Sequence, residues 1–282
     1  MPEFPEVYIV TQDLRKILRN GQIKSVTIEP GYSVYPDNVT FIKEVKNALI
    51  QDVFQVAKNI VIELNQKKYL NIHLRMTGQV LAKKSAKPLP QERLCLKIET
   101  PKKTFWIALR DTRKFGKVSL LNKTEFNNLA AKYGPSPIEP GLTLEKFEEI
   151  VKSKNTSIKN LLMKQEKIGG LGNIYATEAL FIAGIQPEAR TNAIPADKLS
   201  DLLNAIKEAT NEGIQNRGST LDDEMFVDIF GKKGHQQQNF RIYGKKTCSV
   251  CKNLTIQKKI GGRNTYFCPN CQKTNFDNPP FL

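Results

Sequence analysis

Four of the five cysteines stand in two Cys-x2-Cys pairs, Cys248/Cys251 and Cys268/Cys271, separated by sixteen residues. Two knuckles at this spacing bring four thiolates tetrahedrally around zinc, in a closed site that holds shape rather than catalyses. The bland alternative, buried inert thiols, suits only Cys95, alone on an apolar stretch. Between the pairs Thr255–Lys259 and Thr265–Phe267 read as short strands, with Gly261-Gly262 as the hairpin turn and Arg263 just beyond it. Only two histidines are present, His73 and His235, so neither a Ser-His-Asp constellation nor a histidine-rich metal centre is expected. Gly169-Gly170-Leu171-Gly172-Asn173 could cradle an anion on the N–H groups of a following helix capped by Asn173. A tight helix–helix turn accounts for it equally well, and the absence of a following Gly-Lys-Ser/Thr excludes a nucleotide P-loop.

Lys and Arg number 43 against 28 Asp and Glu, a net charge of +15 and a pI near 9.5. Such an excess points to a polyanion. The bias is concentrated: Lys232 to Lys273 contains ten basic residues and no acidic one, interleaved with Phe240, Tyr243, Tyr266 and Phe267. Paired cysteines and aromatics there favour an ordered, phosphate-facing module over a solvated tail. No apolar run approaches the ~20 residues needed to span a bilayer. The N-terminus carries acids and prolines where a secretory signal would carry lysines and a greasy stretch, so a cytoplasmic protein without membrane contact is expected.

The elements that must position these residues change character along the chain. Val7, Val10, Leu14, Ile17 and Leu18 define one face of a helix over Val7–Leu18, with Pro5 suited to its first turn and Asn20-Gly21 ending it. Residues 22–122 read as strands and turns, with Ile60–Leu64, Tyr69–Leu74, Leu94–Ile98 and Phe105–Leu109 the clearest, a spacing that suggests an antiparallel sandwich. Tyr133-Gly134-Pro135-Ser136-Pro137 is a turn cluster, beyond which the period becomes helical: Leu144–Lys152 with Thr143 as cap, Ser157–Gln165, Ile174–Ala183 and Ala196–Asn216. Gly218 to Gly234 reads as a loop. The expected fold class is α+β: residues 1–133 a β-sandwich with an N-terminal helix, 134–238 a helical domain, 239–273 a zinc ribbon.

Three segments together resemble the formamidopyrimidine-DNA glycosylase family of bifunctional glycosylase/AP lyases. They are Pro2-Glu3-Phe4-Pro5-Glu6-Val7, the helix–two-turn–helix stretch Gly170-Leu171-Gly172-Asn173-Ile174-Tyr175-Ala176-Thr177-Glu178-Ala179-Leu180, and the ribbon ending Tyr266-Phe267-Cys268-Pro269-Asn270-Cys271-Gln272-Lys273. They stand in family order and span the chain. The resemblance implies that Met1 is removed and that Pro2 attacks C1′ of a damaged nucleotide. It assigns general acid/base work to Glu3, support to Glu6, and elimination chemistry at phosphates to Lys58 and Arg263. Without it, Glu3 and Glu6 read simply as acids favoured at a helix N-terminus.

The same resemblance implies that Met76, Arg113 and Phe115 fill the gap left by a flipped nucleotide. It makes Lys159, Asn173 and Tyr243 backbone contacts, with His73 and Lys154 beside them. Gly218-Ser219-Thr220-Leu221 resembles the start of the loop that holds the flipped base. Two departures stand out: Ser136 where an acidic residue is frequent, and Gln91 where a DNA-contacting histidine is expected. The implied partner is damaged double-stranded DNA, bound by a monomer in a positively charged cleft between the domains, with one structural zinc. Rival readings are an endonuclease VIII-like enzyme for oxidised pyrimidines, a silent DNA-binding scaffold, and a zinc-ribbon transcription factor. If phosphate contacts dominate, affinity for duplex DNA measured by titration falls linearly in log–log form as salt rises, with a slope near −0.9 per phosphate neutralised; a flat salt response is the contrary outcome.

Overall fold

The computed structural model of the chain describes residues 2–138 and 140–273. Met1, whose removal the family resemblance requires, lies outside the described residues. The chain groups into two compact units, Met1–Lys132 with Ile214–Gln237, and Tyr133–Gly213 with Gln238–Leu282. The division at 132/133 coincides with the Gly-Pro turn cluster. The sequence reading carries 134–238 as one piece, whereas packing groups 214–237 with the first unit.

In the first unit helix α1 (Phe4–Leu18) begins three residues earlier than the apolar period alone indicates, because Pro5 fits the first turn, where no N–H is required. Eight strands follow: β1 (Gln22–Ile28), β2 (Ile50–Val56), β3 (Asn59–Leu64), β4 (Lys68–His73), β5 (Gly78–Lys83), β6 (Glu92–Glu99), β7 (Thr104–Asp111) and β8 (Lys117–Leu121). They form two antiparallel sheets, ordered β1-β6-β7-β5 and β2-β3-β4-β8. Alternate residues of each, such as Ile60, Ile62, Leu64 and Leu94, Leu96, Ile98, enter one core. Val7, Val10, Leu14 and Leu18 of α1 join the same core, which fixes the helix on the sandwich.

Two short helices escape the sequence pattern. Helix α2 (Asn38–Val45) buries only Phe41 and Val45, and α3 (Lys123–Ala130) has no buried residue, so neither shows an apolar stripe. Their local signals are caps: Asp37 accepts the Thr40 N–H at 2.8 Å, and Asn122 with Glu125 forms a capping box.

The second unit contains α4 (Leu144–Lys152), α5 (Ile158–Leu162), α6 (Asn173–Ile182) and α7 (Ala196–Gln215), then the hairpin of β9 (Ile256–Ile260) and β10 (Arg263–Phe267). Thr143 caps α4 as expected, its hydroxyl accepting the Lys146 N–H at 3.3 Å. Helix α5 is shorter than the expected Ser157–Gln165, with Ser157 as its cap. Helix α6 buries every residue from Ile174 to Phe181, so it has no polar face. Its N-cap is Gly172 rather than Asn173. The Asn173 side chain is used elsewhere, donating through Nδ2 to the Asn264 carbonyl at 2.9 Å. Among the described residues, no helix is long and apolar enough to cross a membrane.

Candidate active site

The start of α1 is more than an electrostatically favoured helix end. Pro2, Glu3 and Glu6 are all buried. Glu6 accepts the Glu3 N–H at 2.9 Å through Oε2, the returning half of a capping box. Its other oxygen accepts the Ser219 N–H at 2.8 Å, 213 residues along the chain. Gly218 beside it lies at φ +79°, and a β-carbon there would press on the Phe226 ring and stand 3.1 Å from Glu6 Cγ. Glycine is therefore required both by backbone conformation and by the close approach.

Lys58 reaches this region on the two-residue turn between β2 and β3, after Ala57 at φ +53°, and is buried rather than solvated. Gln55, which carried no sequence signal, ties the two pieces together. Its amide donates to the Phe4 carbonyl at 3.2 Å and to the Ala57 carbonyl at 2.6 Å. His73 pairs with Asn59 on one side and Lys117 on the other. Its Nδ1 accepts the Arg75 N–H at 3.1 Å. Burial, then the charges of Arg75, Lys58 and Lys117, lower its pKa to about 4. The ring is therefore neutral at pH 7, leaving Nε2–H as its donor.

Met76 and Phe115 are 46% and 50% exposed, which removes the reading of both as ordinary core residues. The Arg113 guanidinium lies over the Phe115 ring, 5.0 Å from its centroid. Asp111, fully buried, organises both turns that carry these side chains. It accepts the Thr77 hydroxyl from one turn, and the Arg113 and Gly116 N–H groups (3.2 and 2.6 Å) from the other. Its role was not legible because an acid in Asp111-Thr112-Arg113 looks like a surface charge. Gln91 is exposed at φ +56°, and its carbonyl accepts the Asp111 N–H at 3.0 Å.

In the second unit the expected contacts divide. Lys154 and Arg263 are exposed cations, Arg263 beginning β10 straight after the turn at Gly261 and Gly262. Lys159 is buried, donating to the Asn173 carbonyl at 2.8 Å and to the Thr177 hydroxyl. From there it orders the start of α6 and presents no charge at the surface. Asn173 Oδ1 is buried without a hydrogen-bond partner. Tyr243 packs edge-on against Phe240 and Tyr266, at 5.5 and 5.3 Å between centroids. The residue that sequence reasoning missed is Glu178. Buried on α6, it accepts the N–H groups of Arg241, Ile242 and Tyr243 at 2.7, 3.0 and 2.7 Å. Burial raises its pKa against the pull of those donors.

The four cysteine sulfurs lie within 4.8 Å of one another. Cys248–Cys271 and Cys251–Cys268 are 3.8 and 3.5 Å apart. Ligands about 2.3 Å from a tetrahedral zinc stand about 3.8 Å apart, whereas disulfide sulfurs stand about 2.05 Å apart. The set fits one structural zinc, and the ribbon's cysteines pack with Phe181 and Ile242.

A sandwich bearing buried acids at its N-terminal helix, together with a helical unit and a zinc ribbon, defines the class of zinc-ribbon DNA glycosylases. Residues 1–118 match the formamidopyrimidine-DNA glycosylase N-terminal domain, 133–224 its H2TH domain, and 245–274 the zinc finger found in FPG and IleRS. A formamidopyrimidine-DNA glycosylase of Protochlamydia amoebophila is 34% identical over 97% of this chain and 100% of its own. One from Chloroflexus aggregans is 33% identical over 96% and 98%. The structure of a Lactococcus lactis FPG mutant with Fapy-dG containing DNA superposes with a TM-score of 0.86 at 29% identity, covering 96% of this chain and 100% of that one. The chain belongs to the formamidopyrimidine-DNA glycosylase family.

Two outcomes follow from the geometry. Asp111→Ala strands three hydrogen-bond donors, so urea denaturation should show a loss of about 2–4 kcal/mol, with Asp111→Asn losing less. Because the folded-state pKa of His73 is below its unfolded value, the unfolded chain binds a proton that the folded chain refuses as pH falls from 6.5 toward about 4. Its contribution is thus present above about pH 6.5 and lost through that window. His73→Gln should flatten the fall in stability there, and an imidazole resonance titrating near 6.5 in the free protein would contradict this.

Proposed function

We propose that Pro2, freed of Met1, is the nucleophile of a base-excision enzyme that removes 8-oxoguanine and formamidopyrimidines from duplex DNA and then cuts the strand at the abasic site. The observation that carries this reading is the burial of Glu3 and Glu6 beside Pro2, with Glu6 bonded to a segment from the far end of the chain. Helix capping alone needs neither the burial nor the distant partner.

The chemistry suits a terminal proline. An α-amino group has a pKa of roughly 8 against roughly 10.4 for lysine, so far more of it is neutral near pH 7. Attack of the secondary amine on C1′ expels the base, and opening of the sugar ring leaves an iminium that cannot shed its charge by losing an N–H proton. That cation is the electron sink for β-elimination of the 3′ phosphate and δ-elimination of the 5′ phosphate. Glu3 supplies the proton to the ring oxygen as the ring opens. Glu6 orders the helix start, and Lys58 meets the phosphate next to the damaged nucleotide. Arg263, exposed beyond the ribbon turn, grips phosphate and assists the second elimination.

C1′ cannot be reached within the stack, so the nucleotide must be flipped out. Met76 and Phe115 are exposed, as wedges must be, and Arg113 beside Phe115 can hydrogen-bond the orphaned base. Asn173 at the start of α6, with its Oδ1 unpartnered, contacts the DNA backbone, with Tyr243, Lys154, His73 and Gln91 as further contacts. The protein acts as a monomer in the cytoplasm, at the nucleoid.

Borohydride added during reaction with an 8-oxoguanine·cytosine duplex should trap a covalent adduct whose peptide map places the DNA on Pro2. Acetylating or extending the terminus should abolish it, and Glu3→Gln should slow base release by about 10²–10⁴-fold. A blocked terminus with undiminished turnover is incompatible with the mechanism. A strong preference for thymine glycol over 8-oxoguanine would move the enzyme to the pyrimidine-specific class.

A further inference from the structure

The segment between Arg217 and Gln236 has no helix or strand until its last residue, yet it is held at a narrow neck. The His235 N–H donates to the Asn216 carbonyl at 2.9 Å, and the Gln236 N–H to the Gly218 carbonyl at 3.0 Å. Thr220 closes it further, its hydroxyl accepting the Gly234 N–H and donating to the Phe226 carbonyl, both at 2.8 Å. A loop closed at its base is a compact unit that moves as one piece unless something outside it intervenes.

Toward the sandwich the loop is held by Phe226 and Ile229, which enter the core, by the Ala82 N–H, which donates to the Ile229 carbonyl at 2.7 Å, and by the Gln79 amide, which donates to the Glu224 and Met225 carbonyls at 3.3 and 3.2 Å. Toward α1 the tie is Arg217. Its backbone lies at φ +60°, where a side chain is unfavourable and glycine is the easy residue. The side chain nevertheless bridges two carboxylates. One guanidinium nitrogen donates to Asp13 at 3.1 Å, and the other donates both to Asp13 and, at 2.8 Å, to Asp228. Asp13 and Asp228 are nearly sealed from solvent, at 7% and 4% exposed. The second oxygen of Asp228 accepts the Phe230 and Lys232 N–H groups, each at 2.9 Å, so the same carboxylate shapes the tip of the loop.

Spacing gives the tie its consequence. Asp13 follows Glu6 by seven residues, two turns along one face of α1. Glu6 holds Ser219 and Asp13 holds Arg217, so the entry to the loop is fastened to the helix at two points. The two together fix how the loop leaves α1, while its middle is seated on the sandwich.

We propose that Arg217 is a positioning residue, clamping the 218–234 loop to the helix that carries Pro2, Glu3 and Glu6 so that a base held by the loop meets the N-terminal amine correctly. This rests on the site assignment above. An intact damaged nucleotide has a base for the loop to hold, and an abasic site has none. The clamp therefore bears on base removal and leaves the lyase step alone.

The test uses the full zinc-loaded chain with Met1 removed. Single-turnover base release from an 8-oxoguanine·cytosine duplex is compared with strand cutting at a preformed abasic site, alongside Kd for an uncleavable abasic-analogue duplex. Arg217→Gly relieves the backbone while removing the clamp, and should slow base release on the order of 10- to 100-fold, with abasic cutting and Kd unchanged. Arg217→Lys, which reaches the carboxylates without the fork, should recover part of the loss. Base release by Arg217→Gly at the wild-type rate overturns the proposal. So does an equal fall in both reactions with a lowered melting temperature, which marks a purely structural residue. Wild-type protein that cuts abasic DNA but releases no oxidised purine overturns the assigned function instead, so the two failures are distinct.

Discussion

The Glu6 carboxyl group is the constraint around which the first unit is organised. A helix that begins inside a protein leaves its first N–H groups without intrahelical partners, and a buried carboxyl group is costly unless donors meet both oxygens. Glu6 resolves part of both problems by accepting the Glu3 N–H on one oxygen and the Ser219 N–H on the other. The solution holds only while α1 stays where Val7, Val10, Leu14 and Leu18 seat it in the sandwich core. It also holds only while Gly218 allows the loop to pass against Glu6 Cγ. Hydrophobic burial places the helix; the carboxyl group then decides which distant segment lies against its N-terminal end.

The same device recurs wherever residues outside regular structure must be fixed. Asp111 gathers a hydroxyl and two N–H groups from two turns, Glu178 gathers three successive N–H groups, and Asp228 gathers two N–H groups and a guanidinium. Hydrogen bonds to an ionised group contribute about 1.5–3 kcal/mol each, whereas an exposed ion pair contributes about 0–1 kcal/mol. The exposed pairs Lys146–Glu149 and Lys198–Asp201 are therefore minor, and the buried acids carry the loops. This division explains how a chain with a net charge of +15 uses its few acids: those that shape the site are inside.

That placement also explains what could be read from the sequence. Periodicity located the sandwich strands around Ile60–Leu64 and Leu94–Ile98 and the helix Leu144–Lys152, because burial of one face imprints itself on residue type. Spacing located the cysteine cluster because the ligand geometry is local. A buried acid has no such imprint. Asp111, Asp228 and Glu178 are indistinguishable in sequence from solvated charges, and the partner of Glu6 lies 213 residues away. Lys159, which the family resemblance makes a DNA-backbone contact, is buried and donates to the Asn173 carbonyl at the start of α6, a placement that its residue type does not announce. Helices α2 and α3 bury too little to leave a stripe, and only their caps announce them.

The free protein also presents groups that a polyanion with stacked bases would cover. Burial first, and then the charges of Arg75, Lys58 and Lys117, suppress protonation of His73 and keep its ring neutral. Met76 and Phe115 leave apolar surface in water. A base face would cover that apolar surface, and phosphate would offset the positive charge that acts on His73. Phosphates beside Lys58 and Lys117 would raise the His73 pKa, and a ring protonated at Nδ1 could no longer accept the Arg75 N–H, so the neutral ring is the form that keeps this turn as it stands. The turns that carry Met76, Arg113 and Phe115 are already held by Asp111, which lowers the ordering that binding would cost at those residues.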